Sequence, residues 1–509
     1  MNDKKVLFIT LAINSNRTPE ENLGVYYLQK SLMQYGRASE FIDCWLEGVN
    51  HVHLLKHIDL EKYLFVGITG CLSNVDEIKK ILPIVNKRCP IVCGGYGATF
   101  GYEELLFAGV DLVMLGEGDL NILDVVDYYN GKIKLNAVKG IAYVNDGNIF
   151  VSSDTPTVDI ANLPVLDNRK YLNFILKNKS TVNVLSSKGC EGNCIFCSIS
   201  SFYKNSNKKW RGRNIDDIIN EIDVLYKSGA RVFKFVDDSF IEKERDKIWV
   251  KEFSKKFKAV APDALFRISI RSDCVTDELI GYLKKAGLFA VSCGIESGSD
   301  SVLKRMAKKS NVTRNQRALD IFSKYDIYVQ AGFIMFDDVT TINELWENLS
   351  FLKKNMQIIT KGIFTEMYAA EGTPYARKLL KENGHLQKRY GNYMYKIKNI
   401  KTQKVYTYLK KWHIQLAEFY DKLIDPISAP KALKFEEYRL FYDLYYNFHQ
   451  LDVGFFEFVL KCVDSDCDET VIYSMIERRK LNLRREAEKI DELYKKVNLK
   501  YEASFNIFL

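Results

Sequence analysis

At 509 residues, with 47% hydrophobic and 27% charged side chains, the chain has the make-up of a soluble globular protein and is too long for one core, so two to four domains are expected. No apolar run approaches the ~18 residues that suggest a membrane span. The net charge of +8 arises from 73 basic and 65 acidic residues interspersed without a basic block, which gives nucleic acid no positive support as a partner.

Met1-Asn2-Asp3-Lys4-Lys5 ahead of Val6–Thr10 has the outline of a signal peptide. Its apolar stretch is short and leads into a polar loop without a small-residue cleavage site, so a first strand and a cytoplasmic chain are expected. Residues 1–140 alternate short β-branched strands with amphipathic helices, the pattern of a parallel α/β unit. Strands are expected at Val6–Thr10, Glu40–Ile42, Leu64–Thr69, Ile91–Cys93 and Leu112–Leu115, and helices at Leu23–Tyr35 and Val75–Val85. The glycine-rich loops Gly94-Gly95-Tyr96-Gly97 and Gly116-Glu117-Gly118 follow strands, where an open α/β sheet lines its ligand crevice.

Residues 141–180 read as a hairpin and a linker. Gly140–Val144 and Asn148–Val151 flank Asp146-Gly147, a type I′ turn pair, and Leu163-Pro164-Val165-Leu166-Asp167 is expected to run extended. The β/α alternation resumes over 181–385, with strands at Thr181–Leu185, Val232–Val236, Phe266–Ile270, Phe289–Cys293 and Tyr328–Met335. A barrel-like parallel sheet carries its chemistry on the loops after such strands. Residues 386–509 are rich in Tyr, Phe, Lys and Glu and poor in Gly. Helical spacing fits Val471–Val497, no catalytic motif stands there, and a helical domain that caps the barrel or covers substrate is expected.

Eight of the eleven cysteines (Cys44, Cys71, Cys89, Cys93, Cys274, Cys293, Cys462 and Cys467) are scattered, most of them in apolar runs where cysteine acts as a small hydrophobe. The other three are bunched in Gly189-Cys190-Glu191-Gly192-Asn193-Cys194-Ile195-Phe196-Cys197. Thiolates at C-x₃-C-x₂-C on one tight loop suit three irons of a cubane and leave a fourth iron open to a chelating substrate. Structural zinc is the alternative, but it usually takes four protein ligands and no further Cys or His follows at that spacing; the nearest histidines are His57 and His385.

The loop resembles the C-x₃-C-x-φ-C motif of the radical S-adenosylmethionine (SAM) family, with Phe196 at the aromatic position. Further segments resemble the subgroup with an N-terminal cobalamin-binding domain: Arg211-Gly212-Arg213, Phe235–Phe240, Arg267–Arg271, Gly294-Ile295-Glu296-Ser297-Gly298 and Gly372-Thr373-Pro374. The resemblance implies an α/β fold with an N-terminal Rossmann-like cobalamin domain, a central partial (β/α)6 barrel and a helical C-terminal domain. It implies a [4Fe–4S] cluster on Cys190, Cys194 and Cys197. It also implies SAM contacts: Phe196 on adenine, Asp237, Asp238 and Ser239 at the methionine amino group, and Ser269 and Arg271 at polar groups. Glu296 falls at the ribose, Lys308 at the carboxylate, and Gly332 and Ile334 beside adenine. Plainer readings stand beside these: a core phenylalanine at Phe196, a helix N-cap at Asp237-Asp238, an exposed helix lysine at Lys308. Many relatives carry Gly-Leu-Pro-Gly where this chain has Phe336-Asp337-Asp338-Val339-Thr340-Thr341, which puts the adjoining substrate site in doubt.

The same resemblance implies cobalamin contacts from Leu23, Gly24, Thr69, Gly94, Gly95, Tyr96, Ala98, Gly116, Glu117 and Gly118. The Asp-x-His-x-x-Gly element of histidine-ligated cobalamin proteins is missing, since Ala12–Glu21 holds no histidine and His51, His53 and His57 read as surface residues of a helix. The activity implied is methylation of an unactivated carbon or, less often, phosphorus, on a small-molecule or peptide substrate, with flavodoxin or ferredoxin as electron donor. A radical rearrangement or cyclisation without methyl transfer, and a non-catalytic corrinoid or Fe–S sensor, are the alternatives.

Overall fold

The computed structural model describes residues 4–11, 20–69, 75–86, 88–152, 157–204, 206–360, 362–389, 391–428 and 433–499. Cys71 and most of the first loop, residues 12–19, lie outside the described residues.

The first sheet comprises β1 (Lys5–Thr10), β2 (Ser39–Asp43), β3 (Tyr63–Thr69), β4 (Ile91–Gly94), β5 (Leu112–Met114), β6 (Ile141–Asn145) and β7 (Asn148–Val151), in the order β2-β1-β3-β4-β5-β6-β7. The first five strands are parallel; β6 and β7 add an antiparallel hairpin at one edge. Its turn residues Asp146 and Gly147 have φ of 49° and 77°, as a type I′ turn requires. Val6 and Phe8 pack on one face of β1 and Leu7 and Ile9 on the other, both faces buried, which is why these strands read as continuous apolar runs.

The second sheet is fully parallel, β14-β13-β12-β11-β8, built from β8 (Val182–Val184), β11 (Val232–Phe235), β12 (Leu265–Arg271), β13 (Leu288–Glu296) and β14 (Tyr328–Phe333). The expected sixfold barrel is realised as these five strands plus an extended segment beside β14. That segment is joined by isolated parallel bridges, Gln330 with Ile359 and Phe336 with Glu366. Gly362, between the two bridges, has φ of 105°. Between β8 and β11 a two-stranded antiparallel ribbon, β9 (Ser187–Gly189) and β10 (Trp210–Gly212), carries the chain into and out of the cysteine loop.

The C-terminal region is helical, with helices Ile400–Ile414, Ala417–Ser428, Phe435–Asp464 and Glu469–Lys496. Phe435–Asp464 packs at the starting ends of the barrel strands: Tyr438 stacks on Phe289 at 4.8 Å, and Phe435 and Tyr442 meet Tyr328. Arg267, inside the barrel, donates to the Ile427 carbonyl at 2.9 Å. The cysteine loop leaves from the opposite ends of the strands.

Candidate functional site: a cysteine loop beside a cavity

The cysteine loop is fixed by its backbone. Gly189 has φ of 90°, and a Cβ there would lie 2.0 Å from the Lys209 carbonyl, so β9 and β10 approach as only glycine permits. The Cys190 amide donates to that same carbonyl at 3.0 Å. The Gly192 amide donates to Cys190 Sγ at 3.3 Å. Ile195 donates to Met306 and accepts from Tyr375, which pins the loop's middle to the barrel. Phe196 and Ile334 pack on the same small core of Val302, Met306, Met367 and Tyr375.

All three cysteines are free and half-buried. Burial pushes each thiol up, Cys197 to about 12, so binding metal here entails loss of protons that the metal itself must drive. Among the described residues no three His, Cys, Asp or Glu side chains converge as a single ion requires. Three thiols spaced round one loop, without a fourth, fit a multi-iron cluster better than closed tetrahedral zinc.

The strand-end residues divide into two groups. Glu296 ends β13 at φ 64° and pairs with Lys308, Nζ to Oε1 2.9 Å. Lys308 lies beyond the helix Asp300–Arg305 with its side chain only 6% exposed, so the exposed-lysine reading is corrected; the neighbouring Glu296 raises its pKa although burial opposes this. This pair and Arg271 act electrostatically on Cys194. Arg271 binds Glu242 and Asp273, and its Nη1 is 4.0 Å from Cys190 Sγ. Ser269 is half-buried on the same face of β12 as Arg271, and its carbonyl accepts from the Phe240 amide. Gly332 lies opposite Gly294 on the adjoining strand.

Asp237 and Ser239 face the other way. The Asp237 carboxylate accepts from the Ser186 amide at 2.7 Å and the Ser187 hydroxyl at 2.6 Å and pairs with buried Arg245, while Ser239 Oγ donates to the Ile241 carbonyl. The Asp237 carboxylate is thus engaged by the β8–β9 corner, while the Ser239 hydroxyl is engaged within its own loop and the Ser239 carbonyl accepts from Ser187 Oγ at 3.0 Å. Asp237 and Asp238 do not cap a helix: the next one starts at Lys247, capped by Asp246. Asp238 accepts from the Gly189 amide at 2.8 Å, and burial pushes its carboxyl up to about 6. In the stretch Phe336–Thr341, Asp337 pairs with Arg305 and Asp338 with Lys378 and Lys398.

A cavity of about 600 Å³ opens beside the loop. Leu23, Gly24, Thr69, Gly94, Gly95, Tyr96, Gly116, Glu117 and Gly118 line it; Ala98 instead sits buried in the helix Tyr96–Phe100 behind. Sequence reading missed the wall from the second sheet and the cysteine region: Asn183, Leu185, Lys188, Phe202, Tyr203 and Val236. Tyr96 stacks on Phe202 with centroids 3.9 Å apart, joining the two walls. Among the described residues, Thr10 Oγ1, Glu21 Oε1, Tyr27 Oη and Asn183 Oδ1 are buried without a partner, and all four residues line the cavity. Buried polar atoms of that kind call for a ligand or water, so a large cofactor with polar edges fits here. No histidine lines the cavity among the described residues. His53 and His57 are exposed as expected, but His51 is buried and 3.1 Å from Glu77, a correction to its surface reading.

Residues 184–352 match the Radical SAM superfamily, so the chain carries a radical SAM catalytic domain. Its overall fold is that of the cobalamin-dependent radical SAM enzymes. The structure of OxsB with aqua-cobalamin and S-adenosylmethionine bound matches with a TM-score of 0.77, at 16% identity, over 99% of this chain and 82% of that one. TsrM from Kitasatospora setae, a radical SAM methyltransferase, matches at 0.64 and 14% identity over 74% and 76%. In sequence, the chain is 26% identical over 341 residues to an uncharacterized methyltransferase of Pyrococcus horikoshii, covering 65% of this chain and 73% of that protein. It is 28% identical over 354 residues to an anaerobic magnesium-protoporphyrin IX monomethyl ester cyclase of Rubrivivax gelatinosus, spanning 65% of this chain and 62% of the cyclase. Among the described residues no helix is long and apolar enough to cross a membrane.

Proposed function

We propose that this chain cleaves SAM reductively at a [4Fe–4S] cluster held by Cys190, Cys194 and Cys197 and methylates an unactivated carbon of a small-molecule or peptide substrate with the help of cobalamin. When bound, the cluster supplies the electron that splits SAM to methionine and a 5′-deoxyadenosyl radical, and cobalamin carries a methyl group from a second SAM. The chain's own part is placement. Phe196 and Ile334 offer an apolar face to adenine. Glu296 accepts from ribose hydroxyls, and Lys308 answers the SAM carboxylate while holding Glu296 in line. Arg271, fixed by Glu242 and Asp273, keeps positive charge near the anionic thiolates. A low-potential carrier such as flavodoxin or ferredoxin supplies the electron.

The observation that carries this reading is the shared wall: Lys188, Phe202 and Tyr203 flank the cysteine motif and also line the cavity formed by the glycine loops. A group in the cavity and a group on the cysteines would thus bound one substrate space from two sides.

The test is anaerobic reconstitution with iron, sulfide and hydroxocobalamin, followed by SAM and a strong reductant. Methyl transfer yields both 5′-deoxyadenosine and S-adenosylhomocysteine. The cyclase among the sequence relatives motivates a second reading, rearrangement or cyclisation, which yields deoxyadenosine alone. Neither product, with both cofactors loaded, would favour a sensor and sink the proposal.

A further inference from the structure

We infer, on the reading that the cavity takes a corrinoid, that Glu117 is a positioning residue that ties occupancy of the cavity to the setting of the cysteine loop. Glu117 sits in the glycine loop after β5 and is buried. Its two oxygens reach different strands of the ribbon: Lys188 Nζ on β9 lies 3.0 Å from Oε1, and Arg211 Nη1 on β10 lies 3.0 Å from Oε2. Asp119 supplies a second carboxylate to Lys188 at 3.2 Å. Lys188 and Arg211 are register partners across the ribbon, so one carboxylate braces both strands. Cys190 follows Lys188 by two residues, and its amide returns to the carbonyl of Lys209, the residue just before β10. Moving the clasp therefore moves the first cysteine.

Glu117, Asp119 and Lys188 also line the cavity. A ligand that fills it strips water from the clasp, and charges attract more strongly as the local dielectric falls. A polar edge that engages Glu117 or Asp119 acts on Lys188 as well. The glycine loop was expected to touch the corrin; the geometry assigns its one carboxylate to the cations of the ribbon. Coupling of this kind is reciprocal: if the assembled cluster changes corrinoid affinity, corrinoid changes the stability of the loaded loop by the same factor.

The experiment titrates hydroxocobalamin into the full chain, with and without its reconstituted cluster, for the wild type, Glu117→Gln and Lys188→Gln. Hydrogen exchange at amides 187–190 is followed in each state. In the wild type the two dissociation constants are expected to differ at least fivefold, and exchange slows when hydroxocobalamin is added. In the variants, whatever their absolute affinity for corrinoid, the ratio falls to one and exchange no longer responds. A ratio of one in the wild type, or one unchanged in both variants, would overturn the inference. Should the wild type bind no corrinoid, the cobalamin reading fails separately. The positioning role is then judged by exchange at Gly189 and Cys190 in the cluster-loaded proteins: faster in the variants supports it, unchanged refutes it. If Glu117→Gln does not fold, Lys188→Gln and Arg211→Gln decide by the same readouts.

Discussion

The Glu296 carboxylate and the Lys308 ammonium, 2.9 Å apart, lie over two glycines that face each other on β13 and β14. A Cβ on Gly294 would come 2.5 Å from Glu296 Oε1 and 2.6 Å from Lys308 Nζ, and one on Gly332 would come 3.1 Å from Glu296 Oε2. With no side chain on either glycine the two charged tips have room there, and both act electrostatically on Cys194. Gly294→Ala must therefore push two charged tips aside while leaving the surrounding strands in place. SAM affinity, read from the SAM-induced change in the reduced cluster's EPR spectrum, is expected to fall tenfold or more, about 1.4 kcal/mol. Unaltered affinity would show that the pair takes no part in the SAM site.

Removing one partner of that pair is a harsher test. Lys308→Met leaves a buried carboxylate without its cation, a change that typically costs about 3–5 kcal/mol. Lys308→Met with Glu296→Gln removes both charges and should recover most of the lost melting temperature without recovering SAM binding. Recovery of both would place the pair in folding alone.

The cysteine loop was legible because three thiols sit within eight residues and carry their spacing in the sequence. The strands were legible for a similar reason: burial on both faces leaves continuous apolar runs. The second wall of the cavity was not. Lys188 meets Glu117 and Asp119 across 71 and 69 residues of chain, and Glu20 reaches Lys234 across 214, contacts that no local pattern announces. Asp237 and Asp238 show the other limit. Adjacent on one strand end, they point to opposite tasks, one into the Ser186–Arg245 network and one to Gly189, and alternation of side chains cannot say which of the two meets a ligand.

The glycine hinge of the cysteine loop gives a prediction that separates loop geometry from ligand chemistry. Gly189→Ala keeps all three thiols but drives a methyl group into the Lys209 carbonyl and strains a positive φ. Cys190→Ala keeps the loop and removes one ligand. Both variants are expected to lose iron and sulfide on reconstitution and to make no deoxyadenosine. Only Gly189→Ala should also lose thermal stability before any metal is added. Equal apo stability of Gly189→Ala and the wild type would mean that β9 and β10 relax around the change.

Tyr27 offers opposite signs in two measurements. Its hydroxyl is buried on the cavity wall without a partner among the described residues, a state that costs about 1–3 kcal/mol. Tyr27→Phe should therefore raise the melting temperature of the empty protein. If a corrinoid edge accepts from that hydroxyl, the same variant binds hydroxocobalamin several-fold more weakly. A variant that is both less stable and equally avid would show that the hydroxyl serves the fold and not the ligand.

The helical region holds buried groups whose protonation opposes one another. Burial pushes Asp452 up to about 7 despite hydrogen bonds from Trp412 and Tyr420, and it holds His413 and His449 down at about 4. Between pH 4 and 6.5 the unfolded chain binds a proton on each histidine that the folded chain refuses, so each histidine makes stability rise with pH. Asp452 does the reverse: its folded carboxyl keeps a proton that the unfolded one has released, and its contribution is lost as pH rises towards 7. Each proton is worth about 1.4 kcal/mol per pH unit. Arg479 and Glu486 lie close enough to act on Asp452 but tend to cancel. Asp452→Asn should therefore steepen the rise of unfolding free energy between pH 4.5 and 6.5 by about one proton's slope, and His449→Gln should flatten it by as much. Urea titrations at several pH values measure both slopes; parallel profiles for the two variants would mean that neither group keeps its folded protonation state through that range.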